Sequence, residues 1–254
     1  MIKITDENWK HLEVFFCPVT KRGRLLKWSN RLILEAILYV LSNGLKWKDM
    51  PPHYPPRSTV YSRFCHWADQ GLFIGMRDTL LEIFYEHKQK RPTCFIDGTF
   101  VRAVWGGDDI GLTKIGKQSK VIVIVDDKSI PVAAIATSAQ PHEISLVEET
   151  LQDCPIADRI THLVGDRAYD SDPHDKALKD KGIHLIAPHK RSRKNKTQDG
   201  RALRRYSKRW VVERFFAWMK PACRLLIRFD KKISVFQAFL DLFSAITIYR
   251  KLTS

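Results

Sequence analysis

Residues 161–172 read THLVGDRAYDSD, and the fold of the second half of the chain turns on how they are read. His162-Leu163-Val164 is a short apolar run, Gly165 follows, and Asp166 opens a polar segment. An apolar run closed by glycine and a carboxylate is the pattern of a buried strand stopping at a sheet edge, where α/β proteins gather their ligands. The same pattern occurs upstream in CFIDGT, residues 94–99, where Cys94-Phe95-Ile96 leads into Asp97. If the two strands are neighbours, both carboxylates face one crevice. Taken singly, either aspartate reads better as a turn former or helix cap.

Outward from these sites the pattern is α/β from residue 92 onward. Strands are predicted at 94–96, 121–125, 131–137, 162–164 and 183–187. Helices are predicted at about 144–151, 172–181, 203–220 and 235–249. Three strands, then helix, strand, helix, strand, helix is the order of a ribonuclease H-like fold, a mixed sheet flanked by helices. Before residue 91 the pattern is helical. Thr5 or Asp6 can cap a first helix and Ser29 or Asn30 a second, which Asn43-Gly44 ends. Pro51, Pro52, Pro55 and Pro56 enforce a turn, Ser58 or Thr59 can cap a third helix, and a fourth runs from about 73 to 88 after Gly71. The expected domains are therefore 1–90, all-α, and 91–254, α/β. Helix, break, helix also fits a helix-turn-helix, with Arg57, Ser58, Thr59, Tyr61, Ser62 and Arg63 at the start of a recognition helix. A plain helical bundle gives the same pattern.

Composition narrows the function. The 254 residues carry 43 Lys and Arg against 28 Asp and Glu, a formal net charge of +15, and 44% are hydrophobic, enough for a core. A protein that tracks a phosphate backbone has use for that surplus, because each neutralised phosphate releases counterions. No apolar run approaches the roughly 18 residues of a membrane span, and MIKITDENWK reads as no signal peptide. Cys17, Cys65, Cys94, Cys154 and Cys223 are odd in number and widely spaced. They predict buried thiols in a reducing cytosol, neither a zinc site nor a disulfide framework.

A third acid stands on the helix predicted after residue 203, RRYSKRWVVERFFAWMKPACRL. Tyr206, Arg209, Glu213 and Lys220 recur at i, i+3, i+7 and i+14, which at ~100° per residue puts them within about 60° of one another. Val211, Val212, Phe215, Phe216 and Met219 form the opposite, packing side. An Arg209–Glu213 pair on a solvated face is the plainer reading. Just upstream, residues 188–209 hold ten Lys or Arg (Lys190, Arg191, Arg193, Lys194 and Lys196 in the first half) against one acid, Asp199. Such a run binds phosphates.

Together these motifs resemble the DDE insertion-sequence transposases of bacteria, in the families numbered four and five. The stripe matches their Y-x2-R-x3-E-x6-K signature at every spacing. CFIDGT is similar to the first-Asp motif and GDRAYDSD to the second, while residues 43–73 resemble the N-terminal helical region of family five. The resemblance covers nearly the whole chain. It departs at Gly98, where members usually carry Ser, and at 105–109, which lacks the usual basic opening; Lys114, Lys117 and Lys120 are expected to supply that charge.

The resemblance implies a catalytic and metal-binding triad of Asp97, Asp166 and Glu213 that holds two Mg²⁺, with Mn²⁺ able to substitute. Asp97 and Asp166 would be the principal ligands, Asp97 bridging, and Glu213 would complete the second position. Two such ions stabilise the attacking and leaving oxygens of an in-line displacement, and Mg²⁺ prefers oxygen donors. Water would cut at the transposon end, and the freed 3′-OH would join target DNA by transesterification. Arg209 and Lys220 would clamp phosphates, and Tyr206 would stack on a base or bond a phosphate. His142, in QPHEIS, reads better as a surface histidine. The implied partners are double-stranded DNA (terminal inverted repeats and target) and a second copy of the chain, in the cytoplasm. A non-cutting DNA-binding regulator, or a nuclease that cuts without joining, shares the charge and part of the pattern.

Overall fold

A computed structural model describes residues 4–16, 27–86, 88, 91–194 and 200–253. Cys17, Lys196 and Asp199 lie outside the described residues. Helices α1 (Asp6–Leu12), α2 (Asn30–Asn43), α3 (Arg57–Asp69) and α4 (Leu72–Tyr85) come first. Thr5 and Ser29 cap α1 and α2 as expected, their side chains accepting from Asn8 N and Leu32 N, and Gly44 closes α2 with left-handed dihedrals. The third helix starts earlier than Ser58 or Thr59 would have it. Pro56 is its N-cap and Arg57 its first residue, with no side-chain cap; a proline's fixed φ suits a helix entry without one.

The sheet follows, with strands β1 (Thr93–Ala103), β2 (Gly111–Thr113), β3 (Gly116–Val125), β4 (Pro131–Ser138), β5 (His162–Val164), β6 (His184–Ile186) and β7 (Ile227–Arg228). β1 pairs with β3 antiparallel and with β5 parallel, β5 pairs with β6 parallel, and β4 pairs with β3 antiparallel. Without the short β2 and β7, the spatial order is third, second, first, fourth, fifth. This is the mixed ribonuclease H-like sheet.

The first strand is far longer than its three expected residues. Gly98-Thr99 reads locally as a turn, yet β3 pairs with β1 from Phe95 through Arg102, so the hairpin ladder carries the strand through that point. Asp97 therefore lies within β1. On the other side of β1 the parallel partner stops early. β5 covers Thr93 to Phe95, and β7 covers only Arg102 and Ala103. Between them, among the described residues, the edge of β1 has no strand partner, and Asp97 sits at the start of that gap.

Helices α5 (Val147–Gln152), α6 (Asp172–Asp180), α7 (Gly200–Leu203), α8 (Trp210–Met219) and α9 (Ile233–Leu252) pack around the sheet. The single helix expected over 203–220 is broken: Arg204–Lys208 is a 3-10 turn and Arg209 the N-cap of α8. The tighter winding eclipses Tyr206 with Arg209. On α8, Val211, Val212, Phe215 and Met219 are buried against β1 and β3 as the periodicity predicts.

One buried cluster runs from the N-terminal helices into the sheet layer. The α9 helix, packed on α4 and β4, is its spine. Its length and mean hydropathy of 1.2 would suit a membrane span, although Gln237 and Asp241 interrupt the apolar run in sequence; 72% of its apolar window is buried inside the protein. Phe239 stacks on Phe64 at 4.4 Å and on Trp47 at 5.8 Å. Arg77 of α4, fully buried, donates to Asp153 beyond α5 and to Asp241 of α9. Of the described cysteines, Cys94 and Cys154 are buried, Cys65 is half-buried and Cys223 is exposed, so Cys223 departs from the expectation of buried thiols.

Candidate active site

The strand register builds the site. Phe95 lies opposite Val164 across β1 and β5. Asp97 follows Phe95 by two residues and Asp166 follows Val164 by two, beyond the end of the ladder, and the two carboxylates lie near enough for their charges to interact. Asp97 accepts from the Gly98 amide at 2.9 Å through Oδ1 and from Arg209 Nη2 at 2.5 Å through Oδ2. Burial pushes its carboxyl pKa up despite the attraction of Arg209, and the charge of Asp166 adds to the push. Asp166 leaves β5 and caps the 3-10 turn Arg167–Tyr169, accepting from Ala168 N at 2.7 Å. The cap reading and the site reading thus hold at once: one oxygen closes the turn, and the carboxylate remains near Asp97.

Glu213 stands on the first turn of α8, its side chain 65% exposed and its Oε1 4.0 Å from Arg209 Nη1. The guanidinium of Arg209 therefore lies between Asp97 and Glu213, and Tyr206, eclipsed with it, interacts with it from behind. Lys220 is the exposed C-cap of α8, where a cation complements the helix dipole. Among the described residues no three His, Cys, Asp or Glu side chains stand close enough to grip one metal ion. Asp97 and Asp166 are brought together, and Glu213 is held across an arginine. The physical reason is charge: three carboxylates without a cation repel one another, and Arg209 supplies the counter-charge.

The donor set suits a hard divalent cation. Asp97 and Asp166 offer carboxylate oxygens at the gap beside β1. The buried hydroxyl of Tyr169 makes no well-formed hydrogen bond, although it leans towards Glu143 and feels the charges of Glu143, Asp97 and Asp166. Glu143 is a functional candidate that the sequence reading passed over in favour of its neighbour His142, which is exposed. Burial and the charge of Asp97 push the Glu143 pKa up. Lys120, expected to be a surface charge, is buried and donates from Nζ to the Pro141 carbonyl. The local signal was only an acid opening a helix after a strand, a common N-terminal choice.

The candidate DNA contacts divide. Arg57 is exposed at the start of α3, whereas Arg63 donates to Asn30 Oδ1 at 3.0 Å and lies over Trp67. Asp170 gathers the basic segment after β6. It accepts from the Lys190 amide at 2.8 Å, and its carboxylate meets His189 at 3.0 Å and Arg193 at 2.6 Å. Burial opposes its charge, but these donors hold its pKa below the usual carboxylate range. Lys190, Arg191 and Lys194 project to solvent from this anchored segment. At the opposite end of β1 and β5, beside Thr93 and His162, a cavity of about 750 Å³ is lined by Arg91, Lys128, Arg201, Arg204, Arg205 and Lys208.

The fold is that of a ribonuclease H-like domain, a mixed sheet flanked by helices, with two neighbouring aspartates beside β1 approached by an arginine and a glutamate from α8. The chain is a member of the transposase DDE family: the family described as "Transposase DDE domain" matches residues 88–248, and "Putative transposase of IS4/5 family" matches residues 4–76. Among its relatives is the "Putative transposase for insertion sequence element IS402" of Burkholderia cepacia, 34% identical over 138 residues, 49% of this chain and 59% of that protein. The chain thus matches about three fifths of that relative's length. The "Insertion element IS402 uncharacterized 16.2 kDa protein" of the same organism is 32% identical over 118 residues, 43% of this chain and 80% of that protein. A synaptic complex of piggyBac transposase with hairpin DNA is similar at a TM-score of 0.46 and 10% identity, covering 99% of this chain and 80% of that one.

Proposed function

We propose that this protein is a transposase that frees a 3′-OH at the ends of an insertion sequence and joins it to target DNA, with Asp97, Asp166 and Glu213 holding two Mg²⁺ or Mn²⁺ ions. The observation that carries the reading is the convergence at the gap beside β1: Asp97 close enough to Asp166 to feel its charge, and Arg209 bridging Asp97 to Glu213. Membership of the DDE family supports it. The bound ions supply charge stabilisation for the attacking and leaving oxygens of the displacement.

In the first step water adds to the scissile phosphorus, the P–O3′ bond breaks, and the strand leaves with a 3′-OH while the phosphate stays on the other fragment. In the second, that 3′-OH adds to a target phosphorus and a target 3′-oxygen departs, so one phosphodiester is exchanged for another. Asp97 and Asp166, held by the Gly98 and Ala168 amides, present their carboxylates to the scissile phosphate, Asp97 once Arg209 releases its Oδ2. With the carboxylates neutralised by a bound divalent ion, Arg209 would be free to meet a phosphate oxygen, with Tyr206 steadying it. Lys220 meets the strand further along. Arg57, Lys190, Arg191 and Lys194 contact duplex backbone, while Arg193 holds their loop and Arg63 braces α3. Two copies of the chain act together on paired DNA ends, in the cytoplasm.

The test is a cleavage and strand-transfer assay on the flanking inverted repeat with Mg²⁺, comparing wild type with Asp97→Asn, Asp166→Asn and Glu213→Gln. Each substitution is expected to abolish both steps while DNA binding persists. Equal activity in all four proteins would remove the mechanism, and cutting without any joined product from a pre-cut end would make the protein a simple nuclease. Replacing Lys190, Arg191, Arg193 and Lys194 with Ala is expected to weaken DNA binding and reduce its salt slope by roughly 0.9 for each phosphate no longer neutralised; an unchanged slope counts against this segment.

A further inference from the structure

We propose that the basic cavity at the Thr93 end of β1 holds an unpaired strand of DNA by its phosphates, at a second site apart from Asp97 and Asp166; the inference takes DNA as partner from the function proposed above and adds where, and in what form, a strand is held. Three separate stretches of chain bring cations to this cavity of about 750 Å³. Lys88 and Arg91 come from the segment between α4 and β1, and Lys128 from the turn between β3 and β4. Arg204, Arg205 and Lys208 come from the 3-10 turn before α8. Residues so distant in sequence meet here through the fold.

Elsewhere the buried arginines are matched to acids: Arg77 to Asp153, Arg224 to Asp230 and Arg228 to Asp108. Around the cavity, among the described residues, Arg91, Lys128, Arg204, Arg205 and Lys208 form no ion pair. Two acids share the lining, but Asp126 is engaged within the protein. Its carboxylate accepts from Tyr85 Oη at 2.7 Å and from the Lys128 and Ile130 amides at 2.9 and 2.8 Å. Only Asp127 of the two is exposed. Neighbouring groups register the positive field. Burial, helped by the charge of Lys128, lowers the Lys88 pKa against the pull of Asp126 and Asp127. Burial, with the charges of Arg205 and His184, lowers that of His162. Like charges gathered in one concavity repel one another, and a polyanion relieves them.

The walls are braced. The Tyr85–Asp126 bond joins the end of α4 to the β3–β4 turn, and Arg159 Nη1 donates to the Tyr85 carbonyl at 2.8 Å. Arg214 of α8 donates from Nε to Ser129 Oγ at 2.8 Å, one residue beyond Lys128. The volume is that of a small-ligand pocket, so one strand enters and a duplex does not. Cations from three segments suit a run of linked phosphates rather than a lone one. The 3-10 turn also serves both sites. Arg204, Arg205 and Lys208 line the cavity, and Arg209, the next residue, reaches Asp97. A strand in the cavity is therefore held by the element that carries the arginine of the catalytic centre.

The experiment is a fluorescence-anisotropy titration of the full chain with a labelled single-stranded oligonucleotide and, separately, with a duplex of the same sequence. It is run across a salt series in EDTA, so that no cleavage occurs. Wild type is compared with a fourfold variant, Arg91→Ala, Lys128→Ala, Arg204→Ala and Lys208→Ala, with far-ultraviolet circular dichroism as the check on folding. The variant is expected to bind the single strand about tenfold or more weakly, with a salt slope reduced by roughly 0.7 for each phosphate no longer neutralised, and to keep most of its duplex affinity. Unchanged single-strand affinity, or equal losses on strand and duplex, overturns the inference. So does complete displacement of the strand by tripolyphosphate at equal phosphate concentration, which would make the cavity a small-anion site. Wild type that binds duplex but no single strand overturns this inference alone, and wild type that binds neither overturns the DNA reading as well. Should the fourfold variant fail to fold, Lys128→Glu with Arg204→Glu decides on the same criteria.

Discussion

Arg209 is the residue on which the site's electrostatics turn. Its guanidinium neutralises Asp97 and, more distantly, Glu213. In Arg209→Gln the apoprotein keeps a buried carboxylate without its partner, and stability is expected to fall by about 1–3 kcal/mol. Under the proposed function a divalent cation then has less to displace, so the rise in Tm on adding Mg²⁺ should be larger in the variant than in wild type. Equal Mg²⁺-induced shifts in thermal melts would show that Arg209 and the cation do not compete. Asp241 offers a second residue-level test. Burial, against the pull of Arg77, raises its pKa to about 7. A carboxyl raised on folding contributes stability in full below its unfolded value near ~4 and loses it as pH climbs through the folded value. The Tm difference between Asp241→Asn and wild type is therefore expected to move in the variant's favour between pH 5 and pH 8. A gap that stays constant with pH counts against that shift.

At the scale of elements, the strand register and the anchored basic loop make the function possible. The aspartate that follows each apolar run was legible because a buried strand's apolar segment gives way to polar residues where the chain reaches the site. The register that aligns the two carboxylates could only be conditional on pairing. The 3-10 turn before α8 was not legible, since the Tyr206–Lys220 spacing fits an α-helix. Glu143 was illegible for a related reason: nothing local distinguishes an acid that favours a helix start from one that reaches β1, two strands across the sheet from β4. The basic loop depends on Asp170, whose side chain is 1% exposed. In Asp170→Asn the loss of this buried pairing is expected to cost roughly 3–5 kcal/mol and to open the 188–194 segment to trypsin. In wild type, because the folded pKa is depressed, the same anchor holds above the unfolded value near ~4 and is lost as pH falls through the lower folded one. Equal tryptic cleavage rates for variant and wild type would show that the loop is held by something else.

Across the whole molecule, the N-terminal helices and the sheet share a core through α9. The sequence divides near residue 90 by pattern, but Phe64, Trp47 and Phe239 stack across that division. Phe239→Ala is expected to cost about 3–5 kcal/mol and to lower a single calorimetric transition for the entire chain. Two resolved transitions, with only one of them shifted, would mean that the halves unfold separately. The net charge of +15 belongs to this scale as well: basic groups line both the loop that follows β6 and the cavity beside Thr93 and His162.

By itself the sequence determined the alternation of strands and helices, the two strand-edge aspartates, the helix that carries Glu213 and the basic run before it. Each of these follows from periodicity, chain order or composition, which are local properties. Tertiary structure alone decided that β1 continues through Asp97, that Arg209 stands between Asp97 and Glu213, that Glu143 fills the space at Gly98, and that α9 joins the two halves. Each of those depends on which distant groups share a space, and that is settled by packing and by the field of neighbouring charges.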